Sequence, residues 1–168
     1  MNVEIRDATT RDVAAIADIF YHTVLKVNVR DYSRAQVEAW AGPAPDPGWW
    51  EKRIAAGERI KRTLVAVQGE RVLGFAEFEG DGHIDTLYVH HEFQGRGIAS
   101  RLLDRIEAEA HRLGLTRLYT EASITARPFF RKRGFSVLIP QRVEVRGQTF
   151  RNYQMEKTTA NRSLESGT

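Results

Sequence analysis

Apolar residues recur along this chain with two different periods. Val13, Ile16, Ala17, Phe20, Val24 and Val27 return at helical spacing, so the segment after Thr9 should be a helix with one face to bury. Thr9 and Asp12 form a weak capping box at its start, and residues 3 to 8 before it read as a short strand. Ser33 with Gln36 makes a cleaner box for a short helix carrying Val37, Trp40 and Ala41, closed by Gly42-Pro43. After the Pro- and Gly-rich loop AGPAPDPG, a further helix is expected from Asp46-Pro47 to near Gly57.

From Lys61 the period drops to two. RTLVAV, RVLGFAEFE and HIDTLYV, separated by turns at Gln68-Gly69 and Asp81-Gly82, read as three consecutive antiparallel strands. Ile98, Leu102, Ile106, Ala110 and Leu113 then mark a helix from Gly97 to Leu113, ended by Gly114. LTRLYTEA is the next strand, so the two strands flanking this helix should run parallel through a crossover. A short helix from about Thr125 to Lys132 leads through Gly134 into FSVLIPQRVEVR and TFRNYQMEK, paired across Gly147. The expected architecture is an α/β (α+β) domain over residues 1–157: a central mixed, mostly antiparallel sheet of about seven strands flanked by helices. The polar residues 158–168 should fray.

Length and composition narrow the class. At 168 residues the chain suits one domain with a real core, and its 42% apolar and 28% charged residues include no run of about 18 apolar residues to span a bilayer. It contains no cysteine, which excludes disulfides, thiolate nucleophiles and thiolate metal sites. The opening MNVEIRDATTRDV has no apolar signal core, so cytoplasm is the expected location. A net charge of +3 with arginines scattered rather than massed makes nucleic acid a poor candidate partner.

The candidate chemistry centres on Gln94-Gly95-Arg96-Gly97-Ile98-Ala99. This hexamer lies between a strand ending at Val89 and a helix starting near Gly97, where unpaired amides and a partial positive charge favour anions. Glycines at 95 and 97 clear the approach to those amides, although the same glycines would also serve a plain tight turn. The spacing is neither a P-loop nor a dinucleotide GxGxxG, which argues against ATP and NAD.

QGRGIA resembles the QxxGxG/A signature of the GNAT acetyltransferase superfamily, and the order of elements is similar over nearly the whole chain to about Lys157. SITARPFFRKRGF is similar to that family's second cofactor motif, and YSxxQxxAWA, ASITARPFF and QRVEVRG resemble the YafP-like branch. The resemblance implies an acetyl-CoA-dependent N-acetyltransferase that acts on a primary amine by direct attack on the thioester. It implies that the backbone of Leu87, Tyr88 and Val89 pairs with the pantetheine arm. Gln94, Gly95, Arg96, Gly97, Ile98, Ala99 and Ser100 would hold the pyrophosphate, and Ser123, Phe129 and Phe130 would belong to the second motif. No metal is implied, the acceptor amine is unidentified, and a homodimer is left open.

Acetyl transfer to an amine calls for a base, an oxyanion donor and a fate for the thiolate. His83, Asp85 and Leu87 alternate along HIDTLYV and should share one face, which makes Asp85 the first candidate base, His83 the second, and Glu79 or Glu121 reserves. A backbone amide near Leu87 to Val89, where the strands should splay, would serve the oxyanion. Phe130 falls where the family commonly has a tyrosine that protonates the leaving thiolate. Tyr153 or Ser123 would have to replace it, or coenzyme A would leave as thiolate. This departure also supports an alternative, a catalytically weak acyl-CoA-binding regulatory or partner module. His90-His91-Glu92 suggests a metal site only superficially, because neighbouring strand-end residues point apart. Tyr21, His22, Tyr32, Trp40, Trp49 and Trp50 could wall the acceptor pocket, at least half of them serving only as packing.

Overall fold

The computed structural model describes residues 2–57 and 61–159. Strand β1 (Glu4–Asp7) precedes helices α1 (Val13–Lys26), α2 (Arg34–Ala41) and α3 (Pro47–Gly57). Strands β2 (Lys61–Gln68), β3 (Arg71–Glu79) and β4 (His83–Val89) follow. Then come α4 (Ile98–Arg112), β5 (Arg117–Ser123), α5 (Arg127–Lys132), β6 (Ser136–Val145) and β7 (Gln148–Thr158). Both capping boxes form. Asp12 accepts the Thr9 amide at 2.8 Å, while Ser33 Oγ accepts the Gln36 amide at 3.1 Å and Gln36 accepts the Ser33 amide at 2.7 Å.

The seven strands make one mixed sheet in the order β1-β2-β3-β4-β5-β7-β6, with β4 and β5 parallel and every other pair antiparallel. Pro140 explains the outer place of β6, since a residue without an N–H is tolerated at a sheet edge. The final strand is longer than its sequence pattern indicates. It takes in Thr158, and Thr159 donates its amide to Thr116 O at 2.9 Å; residues 160–168 of the expected frayed tail lie outside the described residues.

Two apolar layers sandwich the sheet. On one side Ile98, Leu102, Leu103, Ile106 and Ala110 of α4 pack on Leu64, Ala76, Ile84 and Leu118. Each large aliphatic side chain buried there is worth about 1.5–3 kcal/mol. On the other side Val13, Ile16, Ala17 and Ile19 of α1 pack on Val65, Phe75 and Trp50. The helices therefore grip the strands from both faces and hold rigid whatever opens between them.

Something does open. β4 and β5 pair only at His83↔Tyr119 and Ile84↔Thr120, after which the strands part. On its other edge β4 carries a bulge: Glu77 faces Thr86, yet the next residue of β3, Phe78, faces Ile84, so Asp85 is the extra residue. The bulge corrects the expectation that His83, Asp85 and Leu87 share a face. Asp85 and Thr86 both reach the Arg53–Glu77 pair on the α3 side, while Leu87 packs with Ile84 into the α4 layer.

Candidate functional site

The parting of β4 and β5 creates a cleft of about 450 Å³. Its walls are Leu87 to Val89 of β4, Thr120 to Ser123 of β5, the loop and first turn of α4, and Thr125, Ala126, Phe129 and Phe130 around α5. Thr23, Val27, Asn28 and Trp40 from the helical N-terminal region complete the lining. Because the His90 amide donates to Leu73 O on β3 at 2.8 Å, the two-residue strand period turns the backbone groups of Leu87 and Val89 away from β3 and toward the cleft. Val89 O is already taken there by Thr23 Oγ1 at 3.0 Å and Gln94 Nε2 at 2.7 Å. The Leu87 amide and carbonyl and the Val89 amide point to the gap without a strand partner.

At one end stands the start of α4. Gly97 caps it in the left-handed region with φ +78°, Gly95 has φ +71°, and a Cβ built on either meets no protein atom within 4 Å. An L side chain would occupy open space in front of the helix amides, which is where an anion approaches. Gln94, Gly95, Gly97, Ala99 and Ser100 line the cleft. Ile98 lines it too, but it is 1% exposed and belongs to the core, so its side chain is structural and its backbone is what it offers. Arg96 does not line the cleft; its guanidinium lies 4.9 Å over the Phe93 ring at the rim.

The second motif lies along the opposite wall. Ser123 accepts the Ala126 amide at 3.0 Å and keeps its own hydroxyl proton free to donate. Phe130 is buried against Phe129 and Phe135 with its edge on the cleft. Tyr153 does not reach it: the ring packs under Arg127, 4.5 Å from the guanidinium, and is absent from the lining. That places it outside the cleft. Thr125, which sequence reasoning passed over, lines the cleft with its Oγ1 buried and unpartnered.

The other end is acidic and densely hydrogen-bonded. Glu77, fully buried, is held by Arg53 Nη2 at 2.7 Å, Arg53 Nε at 3.2 Å and Thr86 Oγ1 at 3.1 Å. Asp85 accepts from Arg53 Nη2 at 2.6 Å and from Lys61 Nζ. Burial alone would raise its pKa, but Lys61 and Arg53 outweigh burial and hold the carboxyl below its usual range. A carboxylate clamped by two cations is a weak proton acceptor, so the structure argues against Asp85 as the base and for Asp85 as a fixed negative charge.

His83 occupies the space between two carboxylates, with Nδ1 3.1 Å from Glu79 and Nε2 2.5 Å from Glu121, and its ring stacks on Tyr119. Burial opposes its protonation, but Glu121 and Glu79 prevail and raise its pKa above the ordinary value. Glu121 lines the cleft and His83 does not. Glu79, His83 and Asp85 cluster closely enough to suggest a metal site, but Lys61 Nζ is already bonded to Asp85 and 3.6 Å from Glu79, so an ammonium fills that role. His90 and His91 stack on each other at 4.5 Å and neither lines the cleft. Of the six aromatic-region candidates only Trp40 lines it, joined by Thr23 and Asn28, which sequence reasoning missed. Trp50 and Tyr32 are core, and Trp49 is an exposed partner of Arg53 at 4.4 Å.

Comparison with known proteins matches this geometry. The family model of the acetyltransferase (GNAT) domain matches residues 28–157. The N-acetyltransferase YafP of Escherichia coli strain K12, described as uncharacterized, is 34% identical over 155 residues, spanning 92% of this chain and 95% of that protein. A GCN5-related N-acetyltransferase from Rhodopseudomonas palustris superposes with a TM-score of 0.86 at 33% identity, covering 95% and 97% of the two chains. At 24% identity the fold is also shared with yncA of Salmonella typhimurium, solved with its cofactor acetyl-CoA, at a TM-score of 0.65 over 99% and 100% of the chains. With a split β4–β5 pair, a glycine-capped helix beside it and a matching family model over most of its length, the chain belongs to the GNAT acetyltransferase family.

Proposed function

We propose that the protein transfers the acetyl group of acetyl-CoA to a primary amine within the β4–β5 cleft. The observation that carries this reading is the gap itself: unpaired backbone of Leu87 and Val89 lies between a helix N-terminus at one end and the carboxylates Asp85 and Glu121 at the other. The site residues fit the donor. The α4 amides behind Gly95 and Gly97 would hold its pyrophosphate, the cleft-facing backbone of β4 would pair with its amide-bearing arm, and Phe129 and Phe130 would pack beside it. Its thioester supplies the activated acyl group.

The chain's own residues supply the rest. An alkyl ammonium with a pKa of about 10.4 is neutral in roughly one molecule in 2,500 at pH 7, a deficit of about 4.6 kcal/mol that a base must help offset. Glu121 takes that role, because it lines the cleft and faces His83 alone at 2.5 Å, whereas Asp85 is held by two permanent cations. Glu121 takes the proton that frees the amine lone pair and passes it to solvent; the lone pair then forms the N–C bond, the C–S bond breaks to release thiolate, and the second N–H proton leaves through Glu121 in turn. The Leu87 amide donates to the oxygen that gains charge. Ser123 and Thr125 are the hydroxyls lining the cleft near Phe130 that could return a proton to sulfur. A cysteine-free chain suits a cytoplasmic setting, and the exposed Val137, Leu138 and Ile139 on edge strand β6 favour a homodimer.

The test is thiol release from acetyl-CoA over a panel of amines, with parent and Glu121→Gln compared. The variant should bind coenzyme A like the parent and turn over about 10²–10⁴-fold more slowly. Tight coenzyme A binding by the parent with no thiol release against any amine would select the regulatory-module alternative instead.

A further inference from the structure

The acceptor end of the cleft has a one-sided chemistry. Asp85 and Glu121 line it, and among the described residues the lining includes no Lys, Arg or His. The nearby cations are already engaged behind the lining, Arg53 by Glu77 and Asp85 and Lys61 by Asp85 and Glu79, and neither lines the cleft. Even with His83 protonated, this cluster sets the four carboxylates Glu77, Glu79, Asp85 and Glu121 against the three cations Arg53, Lys61 and His83, leaving one negative charge in excess. Asn28, 5% exposed, also lines the cleft. Trp40 adds an indole face that receives both apolar and cationic bodies.

From this we infer that the acceptor is an amine whose amine-bearing carbon has no carboxylate, such as an arylalkylamine, and that α-amino acids are rejected. This rests on the acetyltransferase reading. An ammonium entering this end meets the carboxylates of Asp85 and Glu121 as acceptors, both of matching sign. An α-carboxylate would enter with it, a few ångströms from the same two carboxylates. It would lose its hydration and find no lining cation to replace it. Discrimination here comes from repulsion as much as from attraction.

Three matched pairs test this directly: tyramine with tyrosine, phenethylamine with phenylalanine, and tryptamine with tryptophan. Each pair differs only in the carboxylate. Binding to the coenzyme A-loaded protein is measured by calorimetry, and turnover by thiol release from acetyl-CoA. Each amine should bind at least tenfold more tightly than its amino acid, and kcat/KM should favour it by at least tenfold. Amino acids that bind as well as their amines, or six compounds that all fail to bind, would overturn the inference. Selective binding of the amines without thiol release would uphold the acceptor assignment and defeat the acetyl-transfer reading, so the two failures remain distinct.

Discussion

Gly97→Ala isolates the anion site from the stability of the fold. Gly97 sits at φ +78°, where a Cβ costs about 1–2 kcal/mol of backbone strain, yet the protein itself offers no clash within 4 Å. For a domain of this size that strain should lower Tm by about 2–8 °C. The added methyl points into the space before the α4 amides, so coenzyme A affinity should fall at least tenfold, about 1.4 kcal/mol. Gly69→Ala is the matched control. Gly69 lies in the β2–β3 turn at φ +60°, also with nothing within 4 Å, and should lose similar stability while binding coenzyme A like the parent. Thermal melts and calorimetric titration of both variants separate the two effects. Parent-like affinity in Gly97→Ala, or equal losses of affinity in both variants, would refute the placement of the anion at α4.

Asp85→Asn should raise KM for the amine and leave the acidic limb of the kcat/KM profile in place; disappearance of that limb would make Asp85 the base after all. The same substitution should remove a pH-dependent share of stability. The folded pKa of Asp85 is depressed, so that share is present above the ordinary aspartate value of about 3.9 and is lost as pH falls through the lower folded value. His83 works in the opposite sense: its raised pKa contributes stability that is full below about pH 6.5 and fades as pH climbs past it. Melts of His83→Gln against pH should lack that alkaline decline, and an unchanged slope would place its origin elsewhere. Gly82→Ala should destabilise by about 2–5 kcal/mol without touching the cleft, because its Cβ would lie 2.2 Å from Arg117 O at φ +102°; a melt within 2 °C of the parent would contradict this.

Much of the fold was legible because its signals are local. Helix faces, capping boxes and the Gly-marked turns depend on residues a few positions apart, and α3, β3 and β4 ended where composition and period placed them. The bulge at Asp85 was not legible. HIDTLYV alternates well enough to pass for a regular strand, and the extra residue is evident only once β3 supplies the register. The same gap separates cofactor from acceptor. The glycines and their helix are contiguous in sequence, whereas Thr23, Asn28, Trp40, Asp85 and Glu121 come from five separate elements or turns that only the tertiary fold unites. Tyr153 shows the converse: the pairing Ala122↔Tyr153 fixes its side with the α5 layer, beneath Arg127, which no spacing along β7 could reveal.

The short β4–β5 ladder also has a meaning for solubility. Two rungs and the Thr120 Oγ1 to Ile84 O bond at 2.9 Å join the halves of the sheet, and beyond them the molecule carries an edge inside its own sheet. Open edges invite strands from other chains, and an extended thioester arm and a stray peptide would find the same row of amides equally inviting. Thr23 and Gln94 blunt that row by occupying Val89 O, and the charges of Asp85 and Glu121 flank its entrance. On the proposed reading the residues that shape the reaction also stand where gatekeepers against aggregation would, so variants that neutralise the two carboxylates should lose solubility in the ligand-free protein along with rate.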